Sequence, residues 1–566
     1  MTSATGDDRT RVVVVTGGAA GIGRAIAEEL GRQGWYVVTL DPGVGVDGRA
    51  VDALADEDTT ALRIVVAGGR ARTSNASVTD VEAVDALFRS LADEFGALDA
   101  VVNVAGISRP TGFGSGTEHD WSAVIDVHVA GYLNVLRSAL PLMMAAGSGR
   151  VLGVTSGSGW RLADTGAYGC AKRAVASITW QIGRVLPEGV TVNALSPIAA
   201  TRMVTSALSR ARTPRVGDAA PATSARGGLD FGSMPLPDDL GPVAAYLASD
   251  RFGWASGNVV FSSGAECAIV AEPTLIEIAR ADDTMSLSHA LSRVVPATFV
   301  TAELAQSSQG ASNPRVPRSV FTEAADPPLT PGTTCLVVSD DPDWSATLTS
   351  VLGSRGVKCI IVGAGDGVDV YATEIATGFD AVSAQVTAAD RDQGPIDAVI
   401  VAFRPRESAG TEPVERWQLV LVEHETIAEQ LRVDSGWYRA VADLSAAKER
   451  PVRAVMLVDA TSSAGRSRAQ AATQLSRSAH TATASRVDAC TVSVESFAAA
   501  DVSVAAELAA HLVCGPDTAA LSGAELMVDS GWIGLRSHPH PSATISFGGP
   551  STPDWLDDAL RRIVEV

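Results

Sequence analysis

Val12 to Val15 is an unbroken β-branched run, followed by a glycine-rich turn and by apolar residues at helical spacing through Leu30. A second apolar run, Trp35 to Leu40, ends at Asp41. Strand, turn, helix and strand in that order make a β-α-β unit. Strand-like runs recur at Ala100–Val104, Val151–Thr155 and Val190–Leu195, with helical stretches between them. This alternation predicts a doubly wound parallel sheet.

The pattern then repeats. "ALDAVVNVAG" from Ala97 resembles "PIDAVIVAFR" from Pro395, and "GRVLGVTS" from Gly149 resembles "VRAVMLVDATSS" from Val452. "GVTVNALSP" from Gly189 resembles "ACTVSVES" from Ala489, and both halves close on an SG…SG segment, at Ser256–Gly264 and Ser522–Gly531. Generic α/β patterning is the competing explanation, but four blocks in one order favour an internal repeat. The expected architecture is α/β, with two tandem Rossmann-like doubly wound parallel-sheet domains. Residues 1–270 form the first and 332–536 the second. Between them, 271–331 reads as a linker, helical through about Leu304 and then rich in Ser and Pro. The tail, 537–566, starts irregular and ends in a short amphipathic helix.

The 566 residues are 46% hydrophobic and 19% charged, enough apolar material for large cores. A formal net charge of -21 repels phosphate backbones and argues against nucleic acid as a partner. The six cysteines are scattered without a CxxC pair, so no metal site is expected and a reduced, cytoplasmic chain is. The polar N-terminus does not resemble a signal peptide, and no unbroken apolar run approaches the roughly 20 residues of a membrane helix. Only Lys172, Lys358 and Lys448 are lysines. A chain that otherwise uses arginine keeps Lys172 where arginine does not serve.

Thr16 to Gly23, "TGGAAGIG", joins the first strand to the first helix. Gly17, Ala20, Gly21, Ile22 and Gly23 would let backbone approach a pyrophosphate at a helix N-terminus. Asp41, 18 residues after Gly23, can bind ribose hydroxyls and repels a 2′-phosphate, which favours NAD over NADP. Tyr168 and Lys172, four apart, share one helix face. An ammonium beside the phenol would lower its pKa. Ser156, at a strand end upstream, could hold the oxygen of a carbonyl or alcohol.

These residues resemble the classical short-chain dehydrogenase/reductase family over about residues 10 to 270. "TGGAAGIG", "NVAG" (Asn103, Val104, Ala105, Gly106), "TSGSG", "YGCAK", "VNALSP" and "SGNVVFSSG" carry the resemblance. It implies hydride transfer with a nicotinamide, Tyr168 as general acid/base, Lys172 on the nicotinamide ribose, and Ser156 on the reacting oxygen. It also implies cofactor contacts from Gly17, Ile22, Asn103 and Thr201, with Ala105, Gly106 and Pro197 in matching segments. Three positions depart from the pattern. His128 stands where the family has an asparagine that anchors a relay water; an imidazole can hydrogen-bond water, and a purely structural histidine is the alternative. Ser77-Val78 replaces the usual DV near the adenine. Ile198 follows Pro197 where a glycine is usual. Arg109, Arg161 and Arg202 could hold an acidic substrate group, though a surface role is commoner. Val204 to Met234 falls where the family has a substrate lid.

In the second half the cofactor turn is replaced by Asp340, Asp341 and Asp343, which repel a pyrophosphate and cap the helix themselves. Counting from Thr191 and Thr491, Tyr168 corresponds to about Arg468 and Lys172 to about Ala472. This half is expected to be a degenerate copy retained for packing, standing in for a neighbouring subunit. The chain would then pair into a homodimer with four lobes, in no contact with membrane. The expected activity is NAD-dependent interconversion of a secondary alcohol and a ketone at one site. An isomerase or dehydratase that retains NAD, and a nucleotide-responsive scaffold, are the alternatives.

Overall fold

In the computed structural model the described residues are 9–50, 59–201, 234–281, 285–308, 332–365, 370–404, 415–496, 498–515, 518–549 and 551–564. The β-branched runs form strands as the pattern predicts. The first half supplies β1 (Val12–Thr16), β2 (Tyr36–Leu40), β3 (Arg70–Ser74), β4 (Ala100–Asn103), β5 (Gly149–Val154), β6 (Val190–Pro197), β7 (Val259–Ser262) and β8 (Glu266–Ala271). After β9 (Leu275–Arg280) the second half supplies β10 (Thr334–Ser339), β11 (Lys358–Gly363), β12 (Val370–Ala372), β13 (Ala398–Ala402), β14 (Val452–Asp459), β15 (Val487–Val494), β16 (Glu525–Asp529) and β17 (Trp532–Arg536). The tail adds β18 (His540–Ser546).

The first sheet runs β18-β8-β7-β6-β5-β4-β1-β2-β3, and the second β12-β11-β10-β13-β14-β15-β16-β17-β9. Read from opposite ends these are one order. β1 to β7 and β10 to β16 pair in parallel, and the last two strands of each sheet are antiparallel. The same device pins both first strands: Asp99 accepts from Val12 N at 2.7 Å, and Asp397 from Thr334 N at 2.9 Å.

The edge strands are exchanged. β9 leaves the first half and pairs with β17, whereas β18 leaves the second half and pairs with β8. Where the two segments cross, Thr274 N donates to Ser537 Oγ at 3.0 Å and Ser537 N donates to Thr274 O at 2.7 Å. The stretch read as a linker therefore opens with a strand, and the part of the tail read as irregular carries one. Periodicity missed both because each strand borrows its partner from the distant half. A proline-containing segment such as β18 suits an outer strand, where its missing N–H leaves no ladder bond unmade. The closing helix, Leu556–Val564, docks back on the first half: Tyr246 Oη and Trp254 Nε1 donate to Asp557 at 2.7 and 2.9 Å.

The helix Gly166–Gly183 packs against Ser463–Ala482, and both are buried along nearly their whole length. One apolar cluster passes from Trp121, Leu136 and Ile178 to Leu431, Trp437 and Leu475, so the halves share a core. Non-directional burial at about 25 cal/mol per Å² holds such a contact together. Polar pairs set its register: Arg173 Nε donates to Gln470 Oε1 at 2.9 Å, and Ser467 Oγ to Ser177 Oγ at 3.1 Å. The continuous helical stretch Glu118–Ala146 is apolar enough to cross a membrane by length and composition. No unbroken apolar run marks it in the sequence, because Asp126, Asn134 and Arg137 interrupt it; Trp121, Val124, Leu136 and Leu140 in it are buried in the shared core.

Candidate active site

The glycine turn places a bare helix N-terminus at the C-terminal edge of β1. The helix Gly21–Arg32 starts after Ala20 with no side-chain cap and no acid in its first turn, so its N–H groups and positive dipole end are left open to the cavity. A side chain at Gly23 would drive a Cβ to 2.1 Å from Gly17 O, and Gly17 itself sits at φ 65°. Only glycine permits that close return of the turn. Asp41, just past β2, accepts from Ala19 N at 3.2 Å and Gly43 N at 2.9 Å. The pyrophosphate-sized cradle and the ribose-side carboxylate therefore fit a dinucleotide.

A cavity of about 1620 Å³ runs from this turn across the ends of the strands. Its wall includes Gly17, Ala20, Gly21, Ile22, Gly23, Asp41, Ser77, Val78, Ala105, Gly106, Pro197 and Thr201 from the expected cofactor set. It also includes Ser156, Tyr168, Lys172 and His128. Asn103 does not line it. Its side chain lies behind the wall, where Thr16 Oγ1 donates to Asn103 Oδ1 at 2.8 Å and accepts from Ala105 N at 3.0 Å. Asn103 therefore shapes the strand ends. Arg202 and 204–233 of the expected lid lie outside the described residues.

Ser156 ends the segment after β5, and its hydroxyl accepts from Ser158 N at 3.3 Å. It also hydrogen-bonds the Tyr168 side chain. Burial raises the Tyr168 pKa above that of a free phenol, and the Ser156 bond offsets part of the rise. The expected lowering by Lys172 is not what this geometry gives. Lys172 Nζ donates to Val154 O at 2.6 Å and lies 5.8 Å from the Tyr168 ring centroid, and burial brings its own pKa down to about 7.

His128 lies in a π-helical turn, Asp126–Ala130, and packs edge-on to Tyr168 with ring centroids 5.4 Å apart. Its Nε2 is 3.0 Å from Ile107 O, and its buried Nδ1 has no partner among the described residues. Burial first, and Lys172 second, push its pKa down to about 3, so the ring is neutral at pH 7. Gly106 makes room for it, since a Cβ there would lie 2.4 Å from His128 Cε1. Arg109 is not a solvated arginine. Its Nε donates to Asp47 O at 2.7 Å, and the buried guanidinium lies 3.6 Å from Asp120. Arg161 is exposed and lines the cavity.

The second half closes the matching place. Asp341 Oδ1 accepts from Asp343 N at 2.8 Å and caps its helix, as the sequence suggests. Arg404 then grips Asp341 through Nε and a terminal nitrogen at 2.7 and 3.0 Å, and its backbone N–H donates to Asp340 at 2.7 Å. That Arg404 contact foremost keeps the Asp341 carboxyl below the usual range. The sequence-based equivalence of Thr191 and Thr491 is three residues off. Register runs Val13, Ala100, Arg150, Thr191 in one sheet and Cys335, Ala398, Arg453, Asp488 in the other. At the spacing of Thr191 and Asp488, Tyr168 falls on Gly465 and Lys172 on Ala469. A Cβ at Gly465 would lie 1.9 Å from Asp459 O, so no side chain fits where the tyrosine stands. Arg468 serves elsewhere, in a buried fork with Asp434 at 2.7 and 2.8 Å.

The sequence profile of the short chain dehydrogenase family matches residues 11–212. The short-chain reductase protein NovJ of Streptomyces niveus is 31% identical over 45% of this chain and 92% of its own length. A putative short-chain type dehydrogenase/reductase of Mycobacterium tuberculosis is 38% identical over 43% of this chain and 78% of its own. The 3-oxoacyl-(acyl-carrier-protein) reductase FabG of Staphylococcus aureus is 30% identical over 45% and 97%. The N-domain of a bacterial malonyl-CoA reductase, solved with NADP, shares the fold across both halves: TM-score 0.63 over 89% of this chain and 95% of that one, at 18% identity. The chain belongs to the short-chain dehydrogenase/reductase family of oxidoreductases.

Proposed function

We propose that the protein is a nicotinamide-dependent reductase interconverting a ketone and a secondary alcohol at one site, in its first half. The observation that carries this reading is the grouping of Ser156, Tyr168, Lys172 and the glycine turn on one cavity. When bound, the nicotinamide supplies or accepts the hydride. Gly17, Gly21 and Ile22 would hold its pyrophosphate end and Asp41 its adenosine ribose. Ser156 binds the substrate oxygen and aligns it with the Tyr168 hydroxyl. Tyr168 donates its proton to that oxygen in reduction and takes it back in oxidation. Lys172 and neutral His128 lie next along this wall, where they replenish the proton from solvent.

Asp41 supports NAD, because a carboxylate at that place repels a 2′-phosphate. NADP is the alternative, and the malonyl-CoA reductase neighbour was solved with it. The neighbours named for oxoacyl and malonyl thioesters favour a carbonyl on an acyl chain as substrate. Fluorescence titration with NADH and NADPH, then absorbance assays on ethyl acetoacetate and acetoacetyl-CoA, test the reading. A protein that binds neither nucleotide refutes it.

The second half is a degenerate copy from a duplication, supported by the common strand order and by the Asp99 and Asp397 pins. Two cytoplasmic chains pair to give four lobes. Light scattering would then give twice 58.2 kDa, and a stable monomer refutes the pairing.

A further inference from the structure

The segment between Ser156 and the Tyr168 helix is held from outside its own half. After a 3-10 turn, Gly157–Gly159, it runs without regular structure to Gly166. Three of its carbonyls accept hydrogen bonds from side chains of the helix Ser463–Ala482. Gln474 Nε2 donates to Ser158 O at 3.1 Å and to Arg161 O at 3.0 Å, and Ser478 Oγ donates to Ala163 O at 3.2 Å. The same two side chains reach Thr165, which opens the catalytic helix: Gln474 Nε2 lies 3.3 Å from its Oγ1, and Ser478 Oγ accepts from its N–H at 3.4 Å. Gln474 and Ser478 are fully buried. These bonds are part-buried, and breaking them leaves three carbonyls without their protein donors, which is why the segment stays in place.

The exchanged strand reaches the cavity as well. Pro541 on β18 stands opposite Val270 on β8 and lines the cavity with Val270, Phe261 and Trp160. Trp160 belongs to the segment that Gln474 holds. The second half therefore touches the substrate end of the cavity directly, through Pro541, and through the backbone that carries Trp160.

We propose that the second half completes the substrate side of the active site: Gln474 is a positioning residue that fixes the 157–165 segment between Ser156 and Tyr168, and Pro541 is a specificity-determining wall. This goes past a packing role for that half and rests on the catalytic reading of Ser156 and Tyr168. Helix pairing alone does not demand it. On the other side of the contact, Gln181 reaches Ser463 O at 2.8 Å, in the first turn of the Ser463–Ala482 helix, where no catalytic set lies. The Gln474 contact is the one that ends on a working site.

The test uses the full chain. Gln474→Met keeps the side-chain length and removes the donor. Hydrogen–deuterium exchange in 157–165 should then rise while exchange in β14 stays at the wild-type level. With ethyl acetoacetate and NADH, kcat/KM should fall at least about tenfold, since small misplacements of reacting groups are that costly. NADH affinity should stay within about twofold on the same ground. Unchanged exchange, or raised exchange with unchanged kcat/KM, overturns the positioning role. Pro541→Phe should raise KM for acetoacetyl-CoA relative to ethyl acetoacetate, and an unaltered ratio overturns the wall. Should wild-type protein reduce neither compound, the proposed activity fails, and the exchange measurement still decides whether Gln474 holds the segment.

Discussion

Arg173 Nε donates to Gln470 Oε1 at 2.9 Å, tying the middle of the catalytic helix to the middle of its counterpart. Gln470 in turn donates to Glu525. Burial brings the Arg173 pKa down to about 9. Replacing Gln470 by Leu strands a buried guanidinium beside apolar surface. Such a loss costs roughly 1–3 kcal/mol. Guanidinium-chloride unfolding should register it as a lowered midpoint, and a wild-type midpoint would show that Glu525 compensates by itself.

Tyr168→Phe removes the proton donor and keeps the ring against His128. Turnover should drop by about 10²–10⁴, the range for loss of a general acid. NADH binding should persist, because the nucleotide cradle is formed by the glycine turn and Asp41. Stopped-flow reduction with the variant checks both.

Asp41→Ala removes the carboxylate that Ala19 and Gly43 support. The ratio of NADP to NAD affinity should rise by at least about tenfold, some 1.4 kcal/mol. An unchanged ratio would remove Asp41 from nucleotide choice.

His424 is fully buried between Val420 O at 2.7 Å and Ser467 Oγ at 2.9 Å, and burial above all brings its pKa down to about 4. The folded value lies below the unfolded value of about 6.5, so the unfolded chain binds more protons between them. The stability that neutral His424 contributes is complete above pH 6.5 and is lost as pH falls toward 4. His128, His511 and His538 shift in the same direction. Unfolding free energy should fall by up to about 1.4 kcal/mol per pH unit for each such histidine, and His424→Gln should flatten the slope. A slope equal to that of the wild type would show that His424 titrates normally.

Arg468 and Asp434 form a buried pair. Arg468→Met alone should destabilise by about 3–5 kcal/mol, whereas the double change with Asp434→Leu should cost much less. A double-mutant cycle with no coupling would show that the pair is independent.

The strands, the glycine turn, Asp41 and the Tyr168–Lys172 pair are legible in the sequence because each rests on local chemistry. Period and turn composition define a β-α-β unit, and a spacing of four puts two side chains on one helix face. The loss of a cofactor site at Asp340 and Asp341 is equally local. Tertiary structure alone decided the rest. It put Asn103 behind the cavity wall, buried Arg109 on Asp47 and Asp120, and set Lys172 on Val154 O. It exchanged β9 and β18 between sheets and brought Gln474 and Pro541 to a site more than 300 residues away in sequence. Those outcomes depend on which buried polar group finds which partner across the shared core. No residue's immediate neighbours in the chain contain that information.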